Sequence, residues 1–313
     1  VRTGDGTQLR YDRLVLATGS RAFVPPGVPV DWPNVFTLRT LADADAIRAW
    51  LARSPHVLIL GGGLLGLEAA AALHEAGYDC TILELADRLM ARQLDETAAT
   101  LLHEELEARG LRVYCGDAAE AFLGTDRFEG VRTRSGRKLA ADLLLVAVGT
   151  RPETRLAEQA GLHVRRGVCV NDHLQTSDPA IYAIGEVAEH RGRLYGTTPA
   201  AEDQARVAAA HIAGDVWARY PGSVLFNILK IPDFELCTLG ESVPPPEATD
   251  RESVELLDRT RRIYQKIVVR NNRVVGAILL GDRSAFAPLQ ALIAEGLELD
   301  MPPHRLLQHV EAA

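Results

Sequence analysis

Three glycines and one carboxylate carry the clearest chemistry in this chain. Gly61, Gly63 and Gly66 stand in G-x-G-x-x-G spacing, and Glu84 follows eighteen residues after Gly66. A glycine at the first position permits a tight turn. One at the second lets a pyrophosphate approach the backbone, and one at the third lets helix and strand pack closely. The phosphates would then meet the free amides and the positive end of a helix dipole. A carboxylate about twenty residues further on can accept hydrogen bonds from a ribose diol.

Such a motif needs elements to position it, and the flanking residues supply them. Val57 to Leu60 is a wholly apolar run, as expected of a strand buried on both faces. "LEAAAALHEAG" is strong helix-forming sequence closed by Gly77. The run from Cys80 to Glu84 reads as a second buried strand. Further on, Asp95 is placed to cap a helix over "ETAATLLHEELEARG", and "LRVY" reads as a third strand. "AEAFLG", "FEGVRTR" and "RKLAADLLLVAVG" alternate with turns, which suggests an antiparallel ribbon feeding a last buried strand.

About fifty-six residues precede this unit, and they contain a related pattern. "DRLVLATGSR" from Asp12 matches "DLLLVAVGTR" from Asp142, 130 residues later. Two strands of one design, each ending in a glycine turn, imply two related nucleotide-binding units. A third stretch, "AIYAIGE", ends in Gly185 and Glu186, and "TTPAAEDQARVAAAHIAG" then reads as a helix with Pro199 in its first turn.

Taken in order, "LVLATGS", "GGGLLGLEAA", "LLLVAVGTRP" and "IYAIGE" resemble the FAD-dependent pyridine nucleotide oxidoreductases with two dinucleotide-binding domains. The resemblance is closest to the FAD/NAD(P)H part of nitrite reductase large subunits and to rubredoxin-reductase-like proteins. It implies an α/β fold: two Rossmann-like, three-layer domains, the NAD domain inserted in the FAD domain, and a small α+β domain at the C-terminus. The expected boundaries are 1–42 and 153–222 for the FAD-binding domain, 43–152 for the NAD(H)-binding domain and 223–313 for the last.

The same resemblance implies roles for single residues. Thr18 and Gly19 would pass close to FAD, with Gly185 at the turn and Glu186 on the ribitol chain. The helix starting near Thr198, Pro199 and Ala200 would aim its amides at the flavin ring. Gly61, Gly63, Leu65, Gly66 and Glu84 would bind NAD(H), with Arg88 and Arg92 near the adenosine end. Gly149 would lie where the nucleotide site faces the flavin. Glu68 would stand close to the nicotinamide–flavin contact, as the catalytic candidate. The family begins with a glycine fingerprint of its own for FAD, and none precedes "ATGS" here. The expectation is therefore a chain starting inside the flavin domain at Val1 and holding little or no FAD.

Composition bounds the activity. A formal net charge of −8 argues against a nucleic-acid footprint, which needs clustered Lys and Arg. No apolar run approaches the roughly 18–20 residues that span a bilayer. Cys80, Cys115, Cys169 and Cys237 show no C-x-x-C or zinc spacing, so no metal site is expected. Buried free thiols in a reducing cytoplasm are expected instead. The implied function is an NAD(P)H-dependent FAD oxidoreductase that passes electrons from NADH to a partner protein or to a downstream iron–sulfur or haem module. A homodimer is left open. Two other readings stand beside it: a non-enzymatic NAD(H)-binding redox sensor or scaffold, and an NADH oxidase or coenzyme A disulfide reductase. The tail, from about residue 224, reads as antiparallel strands with Asn271-Asn272 as a hairpin turn, "SVPPPEATDRES" as an exposed loop, and a helix over "AFAPLQALIAEGLEL". His304 and His309 are expected at the surface.

Overall fold

The computed structural model describes residues 1–52 and 55–307. His309 lies outside them. In chain order the elements are β1 Leu14–Leu16, β2 Ser20–Ala22, β3 Val35–Thr37, α1 Leu41–Leu51, β4 His56–Leu60, α2 Leu64–Glu75, β5 Asp79–Leu83, α3 Glu96–Ala108, β6 Arg112–Tyr114, β7 Ala119–Leu123, β8 Gly130–Thr133, β9 Lys138–Ala140 and β10 Leu143–Val146. Next come β11 Thr150–Pro152, α4 Arg155–Gln159, β12 Val168–Val170, β13 Ile181–Ala183, β14 Ala188–His190, α5 Thr198–Ile212, β15 Phe226–Ile231, β16 Phe234–Gly240, β17 Glu252–Asp258, β18 Ile263–Arg270, β19 Arg273–Leu280 and α6 Phe286–Glu295.

Two compact units result. One comprises 1–21 and 150–225, the other 22–149 and 226–313. In the second unit a parallel sheet has the strand order β3-β10-β4-β5-β6. Its central strands are apolar on both faces because both are covered: α1, α2 and α3 pack on the side of Val57 and Ile59, and the β7-β8-β9 ribbon, with Phe128 and Val131, packs on the side of Leu58, so all three are buried. The ribbon β7-β8-β9 is antiparallel, as its alternating sequence predicts. Asp95 caps α3: its Oδ1 accepts from the Ala98 N–H at 3.0 Å.

The same unit includes a five-stranded antiparallel sheet ordered β15-β16-β19-β18-β17. Side chains alternate between the faces of a strand. From one face Leu236, Tyr264, Ile278 and Leu280 join the core built by Leu67, Leu101 and Leu102 of α2 and α3. From the other face Ile267, Val269 and Leu279 pack against Leu289 of α6. Burying each such side chain contributes about 1.5–3 kcal/mol. Asn271 and Asn272, at φ 48° and 57°, form the hairpin turn between β18 and β19. Residues 242–253 form the expected loop, mostly exposed, and depart from it only at the two ends. Ser242 is buried and donates its hydroxyl to the Gln93 carbonyl at 2.8 Å, and Glu252 and Ser253 open β17.

One buried polar side chain holds the corner below the parallel sheet. Asn34 donates to the Phe128 and Asp142 carbonyls, both at 2.7 Å, and accepts from the Phe128 N–H at 2.8 Å. Removing it strands three backbone groups. Asn34→Ala is expected to cost about 2–4 kcal/mol, at 1–3 kcal/mol for a buried group left unsatisfied, with partial rescue by water. Urea denaturation checks this through a lower midpoint at unchanged m.

In the first unit β1 pairs in parallel with β13, and β12 with β14. The repeated sequence takes the same course twice. Each copy is a short strand in a parallel pairing, then a left-handed glycine (Gly19 at φ 67°, Gly149 at φ 104°), then another short strand. Those last strands, β2 and β11, pair with one another. The buried carboxylate of Glu189 is satisfied by the N–H groups of Arg166 and Gly167, at 2.9 and 3.0 Å. All four cysteines are free; Cys80 and Cys237 are buried and Cys115 and Cys169 half-buried. Burial pushes the Cys80 and Cys237 thiols up to about 12.

Candidate nucleotide-binding site

The turn between β4 and α2 shows why each glycine is needed. Gly61 has φ 114°, and a Cβ there would lie 2.6 Å from the Ala147 carbonyl oxygen. At Gly66 a Cβ would lie 2.1 Å from the Gly61 oxygen, so helix and turn are in contact. Gly63 differs: a Cβ there would meet nothing within 4 Å. It is the N-cap residue of α2 and makes no side-chain cap. The first amides of the helix therefore lie beside open space, with the dipole favouring an anion there.

Glu84 lies just past the end of β5. Its Oε2 accepts from the Gly62 N–H at 2.5 Å and its Oε1 from the Ala86 N–H at 2.7 Å. Two bonds fix the carboxylate beside the turn. Each carboxylate oxygen keeps a lone pair for a further donor, as a ribose diol would supply. Leu65 is exposed on the first turn of α2. Arg88 is tied into its own loop, donating to the Leu94 carbonyl at 3.1 Å and pairing with Asp87 at 2.9 Å, whereas Arg92 is exposed. Glu68, on α2, accepts from the Lys230 N–H of β15 at 2.9 Å. The Gly149 carbonyl accepts from the Phe23 N–H at 2.9 Å. An extended diphosphate with a ribose diol fits these residues.

The first unit holds a separate corner. Thr18 donates its hydroxyl to the Glu153 carbonyl at 2.8 Å, and Gly19 accepts from the Glu153 N–H at 2.9 Å. Gly185, at φ 75°, donates its N–H to Gln204 Oε1 at 2.7 Å. Glu186 accepts from the Ser20 hydroxyl at 3.1 Å. α5 begins at Thr198 with Pro199 in its first turn and no side-chain cap, and Ala200 is buried. Gln204 is wholly buried, and its Nε2 has no partner among the described residues. Two left-handed glycine turns, an uncapped helix start and an orphaned donor fit a polar, acceptor-bearing cofactor.

Sequence reasoning missed Gln204 and Ser20. A signal for Gln204 existed: Ala200, Gln204 and Ala208 share one helix face at i, i+4 spacing, and all three are buried. Among the described residues no helix is long and apolar enough to cross a membrane, and no cluster of His, Cys, Asp and Glu could hold a metal.

Comparison with known proteins then decides the family. Residues 1–205 match the family described as pyridine nucleotide-disulphide oxidoreductase. The chain belongs to the pyridine nucleotide-disulphide oxidoreductase family. Residues 226–297 match the rubredoxin NAD+ reductase C-terminal domain, a stretch that contains the whole antiparallel sheet and α6. The nitrite reductase (NAD(P)H) of Bacillus subtilis (strain 168) is 41% identical over 289 residues, covering 92% of this chain and 36% of that protein. The rubredoxin-NAD(+) reductase of Pseudomonas putida is 33% identical over 272 residues, covering 82% of this chain and 69% of that one. The crystal structure of the covalent putidaredoxin reductase–putidaredoxin complex is similar with a TM-score of 0.84 at 27% identity, covering 99% of this chain and 78% of that one. This family member thus spans little more than a third of the nitrite reductase it matches. FAD and NAD(H) are the family's cofactors, and its members named here are oxidoreductases. The two-dinucleotide-domain architecture with a small C-terminal sheet domain, expected from sequence, is the one its structural neighbours have.

Proposed function

We propose that this chain is the NADH:FAD oxidoreductase part of an electron-transfer enzyme of the nitrite reductase large-subunit type. One observation carries the reading: the α2 amides open over Gly63, with the Glu84 carboxylate fixed 2.5 Å from the Gly62 N–H beside them. When bound, FAD supplies the ability to take a hydride from a nicotinamide and release electrons singly. The protein's own part is to bind and orient. The α2 amides hold the pyrophosphate over Gly63, and Leu65 covers it. Glu84 takes the adenosine ribose, with Arg88 and Arg92 at its edge. Glu68 and Gly149 border the nicotinamide end. Thr18, Gly19, Gly185, Glu186 and the start of α5 at Thr198, Pro199 and Ala200 hold the flavin. The electrons go to a partner protein or a downstream iron–sulfur or haem module. The four free thiols suit a reducing compartment such as the cytoplasm.

Nucleotide choice tests the site. A 2′-phosphate near Glu84 sets negative charge against negative charge. At about 4 Å and an effective dielectric near 20 the repulsion is roughly 4 kcal/mol before relaxation. Screening and side-chain movement reduce it to about 1–3 kcal/mol, on the order of ten- to a hundredfold. Titration with both nucleotides is expected to show NADH preferred, and Glu84→Ala to raise relative NADPH affinity by about tenfold or more. Tighter NADPH binding by the unaltered chain would overturn the placement of this carboxylate. An FAD-supplemented preparation is expected to reduce ferricyanide with NADH. Intact NADH binding without turnover would favour the sensor reading instead.

A further inference from the structure

The Gly61–Glu84 site lies where the parallel strands end. A second concavity, of about 630 Å³, lies where they begin. It takes in His56 at the start of β4, Arg112 at the start of β6 and Asp142 just before β10. Phe128, Leu139 and Ala141 give it an apolar wall, and Trp50 and Tyr114 bring two aromatic rings. Its volume lies within the ~300–1,000 Å³ that small-molecule sites take. His56 and Leu60 are the two ends of β4, roughly 13 Å apart at ~3.3 Å per residue. The His56 end of the cavity lies away from the glycine turn, and its Tyr114 edge borders it, since the Tyr114 carbonyl accepts from the Glu84 N–H at 2.8 Å.

The lining is rich in uncommitted donors. Lys138 is exposed, and its ammonium, the Trp50 indole N–H and the Tyr114 hydroxyl have no hydrogen-bond or ion-pair partner among the described residues. Arg127 approaches Glu129 only to 3.7 Å, with 68% of its side chain exposed. Arg112 spends Nε on the Thr81 hydroxyl at 3.1 Å and Nη2 on Asp79 at 2.7 Å, which leaves Nη1. The carboxylates are more committed. Asp142 accepts from the His56 N–H at 3.2 Å and lies 3.3 Å from His56 Nδ1, while Asp79 faces both Arg112 and His56 Nε2. Glu129 stays at the Arg127 side. What the cavity lacks is an acceptor-rich, negatively charged head beside an apolar or aromatic body.

We propose that this cavity binds a small organic anion, a carboxylate or phosphate carried on an aromatic or apolar body, independently of the nucleotide site. Calorimetric titration of the chain with phenyl phosphate, benzoate, inorganic phosphate and benzyl alcohol tests it. Phenyl phosphate or benzoate is expected to saturate at least about tenfold tighter than the head alone or the body alone. Which of the two binds better assigns the head. Arg127→Glu with Lys138→Glu is expected to weaken binding by about tenfold or more and to leave NADH affinity within about twofold. Trp50→Phe with Tyr114→Phe keeps the rings and removes two donors, and is expected to weaken binding without charge reversal. No saturation up to about 10 mM, on the order of the weakest affinities worth calling specific, would overturn the proposal. So would binding unchanged in both double variants, or displacement of the anion by NADH.

Discussion

Asp95→Ala is expected to lower the stability of the 22–149/226–313 unit by about 3–4 kcal/mol, combining a lost helix cap with a stranded lysine. Asp95 does two jobs with two oxygens. Oδ1 caps α3 through the Ala98 N–H. Oδ2 reaches the antiparallel sheet, accepting from the Tyr264 hydroxyl at 2.7 Å and from Lys266 Nζ at 2.8 Å. The lysine side chain is 11% exposed and the aspartate 18%, so solvent screens the pair only partly. Loss of such a cap costs about 1 kcal/mol. Removing one partner of a well-buried pair costs about 3–5 kcal/mol, discounted here because Glu255 remains 3.4 Å from the ammonium. Asp95→Asn keeps the cap and should lose less. Combining Asp95→Ala with Lys266→Met should recover part of the loss, since no ammonium is then stranded.

The same residue gives a pH dependence of definite sign. Burial pushes the Asp95 carboxyl up, but Lys266, the Ala98 N–H and Tyr264 outweigh it and hold the group below its ordinary value. A carboxyl depressed in the folded state contributes stability that is fully present above its unfolded value, about 3.9, and is lost as pH falls through the folded one. The gap between the unaltered chain and Asp95→Ala should thus be constant near neutrality and shrink below about pH 4. Denaturant melts of both proteins across that range check it. A difference under about 0.5 kcal/mol at pH 7 would show the network to be energetically idle.

What could be read ahead of the structure was local. The β4–turn–α2–β5 unit was legible because strand burial, glycine spacing and helix composition coincide within thirty residues. Asp95 as a cap and Asn271-Asn272 as a turn could be read for the same reason, since each needs only its neighbours. Two elements were missed despite usable signals. α1 carries a capping box, in which the Thr40 hydroxyl accepts from the Asp43 N–H and the Asp43 carboxylate accepts from the Thr40 N–H. β17, "ESVELLD", is an edge strand whose outward residues, Ser253, Glu255 and Leu257, mix polar and apolar, which blurs its alternation. What no local pattern shows is pairing across the chain. Glu68 meets Lys230 across 162 positions and Asp95 meets Lys266 across 171. In sequence Asp95 is only a cap and Glu68 only a residue of the helix after the fingerprint. Their reach into the C-terminal sheet comes from how α2 and α3 pack on it.

Gly66→Ala and Gly63→Ala are expected to separate folding from nucleotide binding at one turn. At Gly66 the added methyl would sit 2.1 Å from the Gly61 oxygen, 3.2 Å from its carbonyl carbon and 3.4 Å from Ile59 Cγ2. The nearest obstacle is backbone and cannot rotate away, so α2 must shift from β4. Overpacking of this kind costs about 1–3 kcal/mol or somewhat more. The shift also carries the helix amides off the phosphate position. With about 3 kcal/mol lost there, NADH binding should weaken on the order of a hundredfold. At Gly63 the methyl meets no protein atom within 4 Å, and φ is −85°, a value open to any residue. Gly63→Ala should therefore melt within about 1 kcal/mol of the unaltered chain, as expected where neither strain nor a clash arises. Its methyl would nonetheless occupy the space through which a pyrophosphate reaches the α2 amides. Binding should fall by about tenfold or more, with stability unchanged. Chemical melts and NADH titration of the three proteins decide the matter. Undiminished NADH affinity in Gly63→Ala would mean that the pyrophosphate does not cross over Gly63, and the nucleotide would have to be placed elsewhere along the strand ends.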